Sequence, residues 1–528
     1  MKEKFYVTTP IYYPSRKLTL GNSYTTIICD AIARFNKKFG KDVFYLTGTD
    51  EHGQKISQAA ANAGKKEMDY LDEIIADTKN LWNLLGIEYD KFIRTTDDYH
   101  EKTAQKVFNE LYKRGYIYKG AYKGWYCTPC ESFFTESQLV DGKCPDCGRE
   151  VKFQEEEAYF FKLSEFGDRL IKLYEENPEF LQPQSRVNEM INNFIKPGLN
   201  DLCVSRTSVK WGVPVEFDPN HTIYVWIDAL SNYISALGAF SDNDENFKKF
   251  WPADVHVVGK EIVRFHAIIW PAILMALDLP LPKRVYAHGW ILFGGDKLSK
   301  SKETGEKECV DPRVLVPLYG SDAIRYFLYR EIPFGGDGNY STALFLNKFN
   351  SDLSNNFGNL VSRTFGMMRK YFASVVPAAE EITADDEEFK NNVLAEVKAA
   401  YEYMDKIEIT KAITAVFNIF THANTYIQKV EPWAVAKAEN GQARLKTIMR
   451  YLLESIRIGT SLFEPFAPDC TAKVLTALGL ETRGVFENME DFDGLAQGKE
   501  LGALDILFPR LDVEAETEKL RKIANPEE

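Results

Sequence analysis

The sequence has no uninterrupted apolar run of the roughly 18 residues that a membrane span needs. The nearest stretch, Phe265 to Pro282, holds His266, Asp278 and three prolines and reads as buried core. The N-terminus, Met1-Lys2-Glu3-Lys4-Phe5, lacks the apolar segment of a secretory signal. The expectation is therefore a cytoplasmic protein with no membrane partner. Positive charge is also scarce, since 64 Lys and Arg face 77 Asp and Glu, a net −13. A non-specific nucleic-acid coat would be basic, so that class is disfavoured, although a local patch can still bind phosphate. Internal repeats and low-complexity tracts are lacking too. What is present is ordinary for a globular chain: 528 residues, 45% hydrophobic and 27% charged. Length alone predicts three or four domains at about 100–200 residues each.

Only 8 residues are cysteine. Cys29, Cys203, Cys309 and Cys470 are scattered and read as small buried hydrophobes. The other four form Cys127-Thr-Pro-Cys130 and Cys144-Pro-Asp-Cys147. Two Cys-x-x-Cys turns at this separation have the spacing of a zinc knuckle, each turn aiming two thiolates at one ion. Two disulfides or a redox dithiol are the competing readings. A reducing cytosol opposes the first, and a redox motif needs one pair, not two. A closed four-cysteine site would be structural.

Phe5 to Thr9 and Val43 to Thr47 are β-prone runs. Between them Tyr24, Ile27, Ile28, Ala31, Ile32, Phe35 and Phe39 recur at helical spacing, and Gly40 supplies the stop. Strand, helix, strand predicts a right-handed parallel crossover. Ligands of such sheets bind beyond the carboxyl ends of the strands. Two segments fall there: Tyr12 to Asn22, and Thr49-Asp50-Glu51-His52-Gly53. The free N–H groups at a helix start attract phosphate. Gly21 permits close approach, and Thr19 and Asn22 offer hydrogen bonds. An ordinary capped helix would read the same way. Neither GxGxxG nor a P-loop occurs at this helix start. Far downstream, Gly294-Gly295-Asp296-Lys297-Leu298-Ser299-Lys300-Ser301-Lys302 follows an apolar, strand-like stretch from Val285 to Phe293. A glycine-led lysine loop suits a cover over polyphosphate, although a lysine run alone is equally a solvated surface.

Thr19-Leu-Gly-Asn22 with Lys297-Leu-Ser-Lys-Ser301 resembles the HIGH and KMSKS signatures of class I aminoacyl-tRNA synthetases. With Val7 to Pro14, Thr47 to Gly53, Tyr224 to Ala229, Val258-Gly-Lys through His266, His288-Gly-Trp290 and Asp322 to Phe327, the chain closely resembles the methionyl-tRNA synthetase family over nearly all its length. It departs where HIGH has histidines, with Thr19 and Asn22 in their places. The resemblance implies adenylation of methionine by ATP with Mg²⁺, then transfer to tRNA(Met), initiator and elongator. It assigns catalysis to Thr19, Gly21, Asn22, Lys297 and Lys300. ATP falls to Gly21, Asn22, Gly259, His288, Gly289 and Lys300. Methionine falls to Ile11, Tyr13, Asp50, Trp226, Ala229, Leu230, Tyr233, Ile262 and His266, with Asp50 on the ammonium and His266 a donor on the substrate side. An apolar, aromatic pocket suits a thioether. Asn355, Asn359 and Arg363 lie four apart on one helical face. A solvated stripe would look the same, but Asn359, Arg363 and Trp433 match the family's anticodon contacts.

The expected fold class is α/β, a Rossmann-like parallel-sheet catalytic domain with a zinc-knuckle insertion, then an all-α helix bundle. The expected divisions are residues 1–115 and 225–295 for the catalytic fold and 116–224 for the insertion. Residues 296–345 would be the stem-contact region with the KMSKS-like loop, and 346–528 the anticodon-binding bundle. The interval 116–224 is too short for the editing domain of the valine, isoleucine and leucine enzymes. The acidic run Glu380, Glu381 and Asp385 to Glu388 reads as a solvated linker. No C-terminal tRNA-binding barrel is recognisable, so a monomer is expected. Two alternatives stay open: another class I synthetase, and a non-catalytic tRNA-binding paralogue, which Thr19 favours and the lysine loop opposes.

Overall fold

The computed structural model describes residues 2–525 except 129, 131, 135, 294–295, 298–308 and 483–490. Six parallel strands form the central sheet. In spatial order they are Lys91–Arg94, Asp42–Thr49, Lys4–Thr8, Val255–Gly259, Val285–His288 and Leu181–Gln182. The middle strands are apolar and buried on both faces, as a parallel sheet between layers requires. The expected βαβ unit is present, its helix spanning Leu20–Lys38 and ending before Gly40, whose φ of 82° needs glycine. Val7 pairs with Tyr45 on one side and Val255 on the other. The chain order therefore reverses at Lys4–Thr8, making the crevice beyond Thr8 and Gly259 the switch point where ligands bind.

Three expectations need correction. The apolar stretch from Val285 to Phe293 is not one strand but two, Val285–His288 and Ile291–Phe293. Gly289 breaks it because the backbone of Gly336 lies against it; a Cβ there would meet the Gly336 carbonyl oxygen at 2.0 Å. The second piece pairs with Gly338–Tyr340 instead of with the central sheet. The interval 116–224 is not wholly an insertion, since Leu181–Gln182 within it completes the edge of the catalytic sheet. The inserted body is a long antiparallel pair, Ile117–Cys127 and Lys152–Phe161, with the cysteine knuckle at its tip. Finally, the acidic run is not simply a solvated linker. Asp385 to Glu388 start the helix Ala384–Asp405, where acids favour the dipole. Asp386 is fully buried there, held by Arg444 at 2.8 and 2.9 Å and by the Tyr426 hydroxyl. Burial pushes its carboxyl up, but those hydrogen bonds bring it below its ordinary value.

The C-terminal part is helical, chiefly Asn359–Phe372, Ala384–Asp405, Ile409–Val430 and Gln442–Phe463. One apolar cluster runs from Val7 and Ile28 into Phe420 and Phe463, so sheet and bundle share a core. A buried ionic cluster crosses the same joint. Arg325, fully buried, donates to Asp30 at 2.7 Å and to the carbonyls of Phe466, Pro465 and Leu85 at 2.8, 3.1 and 3.2 Å. Arg34 also meets Asp30 at 2.7 Å, and Lys38 reaches Glu464 at 3.1 Å.

Candidate active site

A cavity of about 1010 Å³ opens at the switch point. Its lining includes every residue expected to hold methionine: Ile11, Tyr13, Asp50, Trp226, Ala229, Leu230, Tyr233, Ile262 and His266. Thr19, Gly21, Asn22, Gly259, His288 and Gly289 line it as well. These residues come from five separate stretches, which the sheet topology gathers at one end. Lys300 lies outside the described residues, and so does the side chain of Lys297, whose backbone pairs with Leu292.

The corner expected to face phosphate is built by the start of helix Leu20–Lys38. The Asn22 Oδ1 accepts from the Thr19 N–H at 3.1 Å and from its hydroxyl at 3.2 Å. That fixes the amide so that Nδ2 is its remaining donor. A Cβ on Gly21 would meet only Thr19 Oγ1, at 3.8 Å, so the space beside the backbone is open. His288 donates from Nδ1 to the Gly289 carbonyl and accepts the Thr25 hydroxyl at Nε2, both at 2.7 Å. Burial depresses its pKa, so it sits there neutral.

Asp50 lies on the loop leaving strand Asp42–Thr49, 8% exposed. Its N–H donates to the Tyr12 carbonyl at 2.9 Å. The next residue, Glu51, is fully buried and clamps the loop, accepting from Thr49, Thr96 and Arg94 at 2.6, 2.6 and 2.9 Å. Opposite, helix Val225–Ser235 presents Trp226, Ala229, Leu230 and Tyr233. Trp226 stacks on Phe265 with ring centres 3.4 Å apart and planes 10° from parallel. His266 lines the pocket but is not an available donor. Its Nδ1–H is given to the Ile262 carbonyl at 3.0 Å and its Nε2 accepts the Tyr233 hydroxyl at 2.7 Å. Burial brings its pKa down to about 4, so it stays neutral at physiological pH.

Sequence reasoning missed several lining cations, Arg16, Lys55, Arg186 and Lys260. Lys260 was within sight, directly after Gly259; it pairs with Asp337 at 2.7 Å beneath the Trp290 ring. Also missed was the approach of the knuckle to the cavity, where Cys130 and Asp146 join the lining. Asp146 meets Arg264 at 3.4 Å.

The four knuckle cysteines have Sγ atoms all within 4.8 Å of one another, Cys127 and Cys147 at 3.5 Å and Cys130 and Cys144 at 3.8 Å. A tetrahedral zinc with bonds of about 2.3 Å would set its sulfurs about 3.8 Å apart, so the donor set fits zinc. In the bundle, the Arg363 guanidinium lies 5.8 Å from the Trp433 ring centre, bringing two of the expected anticodon residues together. Asn359 is exposed one turn before Arg363 on the same helix.

A parallel sheet whose switch-point cavity joins a phosphate-ready helix start to an aromatic pocket, with a helix bundle behind it, is the architecture of a class I tRNA synthetase. Residues 5–154 and 147–365 match the family described as tRNA synthetases class I (M), and residues 376–527 match the anticodon binding domain of methionyl tRNA ligase. The methionine–tRNA ligase of Clostridium acetobutylicum is 53% identical over 99% of this chain and 80% of its own length. That of Caldanaerobacter subterraneus subsp. tengcongensis is 54% identical over 99% and 81%. The Mycobacterium tuberculosis methionyl-tRNA synthetase in complex with methionyl-adenylate superposes with a TM-score of 0.90 at 39% identity, covering 96% of this chain and all of that one. The chain belongs to the methionyl-tRNA synthetase family.

Proposed function

We infer that this enzyme is a methionine–tRNA ligase, activating methionine with ATP and transferring it to the 3′ end of tRNA(Met), initiator and elongator alike. The observation that carries the reading is the single cavity in which Asp50, the Trp226–Tyr233 pocket and the start of helix Leu20–Lys38 converge. In the first step a methionine carboxylate oxygen bonds to the α-phosphorus, the bond to the bridging oxygen breaks, and pyrophosphate leaves. Asp50 holds the ammonium by charge, and the apolar wall of Ala229, Leu230 and Tyr233 holds the thioether. Asn22 Nδ2 and the backbone at Gly21 take phosphate oxygens, aided by the helix dipole. Lys297 and Lys300 add positive charge as it is needed at the leaving group. Mg²⁺ carried by the ATP phosphates would shield their charge. In the second step a hydroxyl of the tRNA's terminal ribose attacks the carbonyl carbon, and AMP leaves. No side chain becomes covalently attached; positioning supplies the rate.

Cys127, Cys130, Cys144 and Cys147 would hold one structural zinc and so order the tip of the insertion beside the cavity. Asn359, Arg363 and Trp433 would read the anticodon, Trp433 by stacking on a base. Among the described residues no helix is long and apolar enough to cross a membrane, and the cytoplasm is where this activity is needed. ATP–pyrophosphate exchange with each of the twenty amino acids, without tRNA, tests the reading. Exchange with methionine alone is expected; exchange driven by a different amino acid, or by none, refutes it.

A further inference from the structure

Three buried side chains behind the cavity form a hydrogen-bonded chain to which the mechanism above gives no work. His52 donates from Nδ1 to Asp228 Oδ2 at 2.7 Å, and His100 donates from Nε2 to Asp228 Oδ1 at 2.8 Å. The other nitrogen of His100 meets Ser235 Oγ at 2.7 Å. His52, Asp228 and His100 are 4%, 1% and 0% exposed. None of the three lines the cavity. Their positions in the fold are specific. His52 stands two residues after Asp50 on the ammonium-facing loop. Asp228 and Ser235 lie on the helix Val225–Ser235 that carries the side-chain pocket. His100 belongs to helix Asp98–Lys113, packed against both.

We propose that the His52–Asp228–His100 chain is a positioning device for methionine, fixing the loop that presents Asp50 at a set distance from the helix that grips the thioether. This rests on the reading of the cavity given above. An amino acid held at both ends is bound well only if those ends stay at the right spacing. The loop and the helix are 176 residues apart in sequence and have no strand pairing between them. A charged pair in a dry interior is directional, and it is costly to leave half-made. Burial lowers the imidazole pKa, but Asp228, with smaller help from Glu101 and Asp50, brings His52 up to about 10. Burial raises the Asp228 carboxyl, and the two imidazoles bring it down to about 2. Both charges are therefore present across the physiological range. The hydrogen bonds given above join the loop to the helix and go to none of the ATP-facing groups at Thr19, Gly21, Asn22 and Gly259.

The test is ATP–pyrophosphate exchange by wild type, Asp228→Asn, His100→Ala and His100→Gln, with KM measured separately for methionine and ATP. Asp228→Asn and His100→Ala should raise the methionine KM by at least about tenfold, the effect of one charge-assisted hydrogen bond. The ATP KM should stay within about twofold, since the dissected contact is worth nothing to that site. His100→Gln, whose amide can still donate to Asp228, should recover most of the loss. If Asp228→Asn fails to fold, Ser235→Ala and the His100 pair decide, Ser235→Ala giving a smaller rise in the same KM alone. Unchanged methionine KM, or both KM values rising together, overturns the proposal and leaves the loop to Glu51 and Arg94. A wild type that exchanges with no amino acid refutes the proposed function instead, so the two failures are distinct.

Discussion

Replacing Arg325 by methionine should be among the most damaging single changes outside the cavity. The guanidinium is fully buried and makes four hydrogen bonds, one to Asp30 and three to main-chain carbonyls of Leu85, Pro465 and Phe466. Methionine fills similar space but donates nothing. Asp30, also fully buried, keeps Arg34 at 2.7 Å and the Glu88 N–H at 2.8 Å, so it is left partly compensated. Breaking a buried pair by removing one partner costs about 3–5 kcal/mol, and the three carbonyls place this case toward the upper end. Burial raises the Asp30 carboxyl, but Arg325 and Arg34 hold it below its ordinary value. Removing the acid as well, in Asp30→Asn with Arg325→Met, should therefore cost less than the sum of the two single changes, by about 1–3 kcal/mol. The assay is guanidinium titration followed by tryptophan fluorescence, run as a double-mutant cycle. A loss below about 1 kcal/mol for Arg325→Met, or strict additivity in the cycle, would show that the cluster contributes far less than its geometry implies.

Five further outcomes are expected. His266 is depressed to about 4, so the unfolded chain takes up its proton first; stability from this group should fall as pH drops from about 6.5 to 4, by up to about 3 kcal/mol, and His266→Gln should flatten the profile there. His52 is raised to about 10, so its contribution is complete below about 6.5 and is lost as pH rises toward 10; the same denaturation profiles check this with His52→Gln. Chelation should release one zinc per chain, read by a metallochromic dye, and Cys144→Ala should lower that stoichiometry toward zero. Trp433→Ala should reduce kcat/KM for tRNA charging by about tenfold or more while leaving exchange unchanged, whereas Lys300→Ala should cut exchange by about a hundredfold or more with little change in Tm.

Much of the fold and site was legible because the signals are local. The helical period from Tyr24 to Phe39, the stop at Gly40 and the Cys-x-x-Cys turns depend on neighbours a few residues away. The cavity residues were legible only through motifs, and all those expected to hold methionine do line one cavity. What escaped was non-local. A two-residue edge strand at Leu181–Gln182 has no period to detect. The break at Gly289 is imposed by Gly336, far along the chain. Asp386 looked solvated because its partners, Tyr426 and Arg444, come from other helices. His266 looked like a free donor because nothing in its own stretch shows that Tyr233 occupies Nε2.

The reversal of strand order at Lys4–Thr8 has a consequence for how the chain must be made. One edge of that first strand is covered at once by Asp42–Thr49, but the other waits for Val255–Gly259. Nearly 250 residues separate Val7 from Val255, which at about 5–20 residues per second is roughly 12–50 s of synthesis. Throughout that interval a buried-type, apolar strand edge leaves the ribosome unpaired, a template for stray β-pairing. The intervening Ile117–Cys127 and Lys152–Phe161 pair with each other and carry their own cysteine cluster. The insertion can thus fold while the sheet is still half-built. The yield of folded protein should therefore depend on events during translation as well as on the stability of the finished fold.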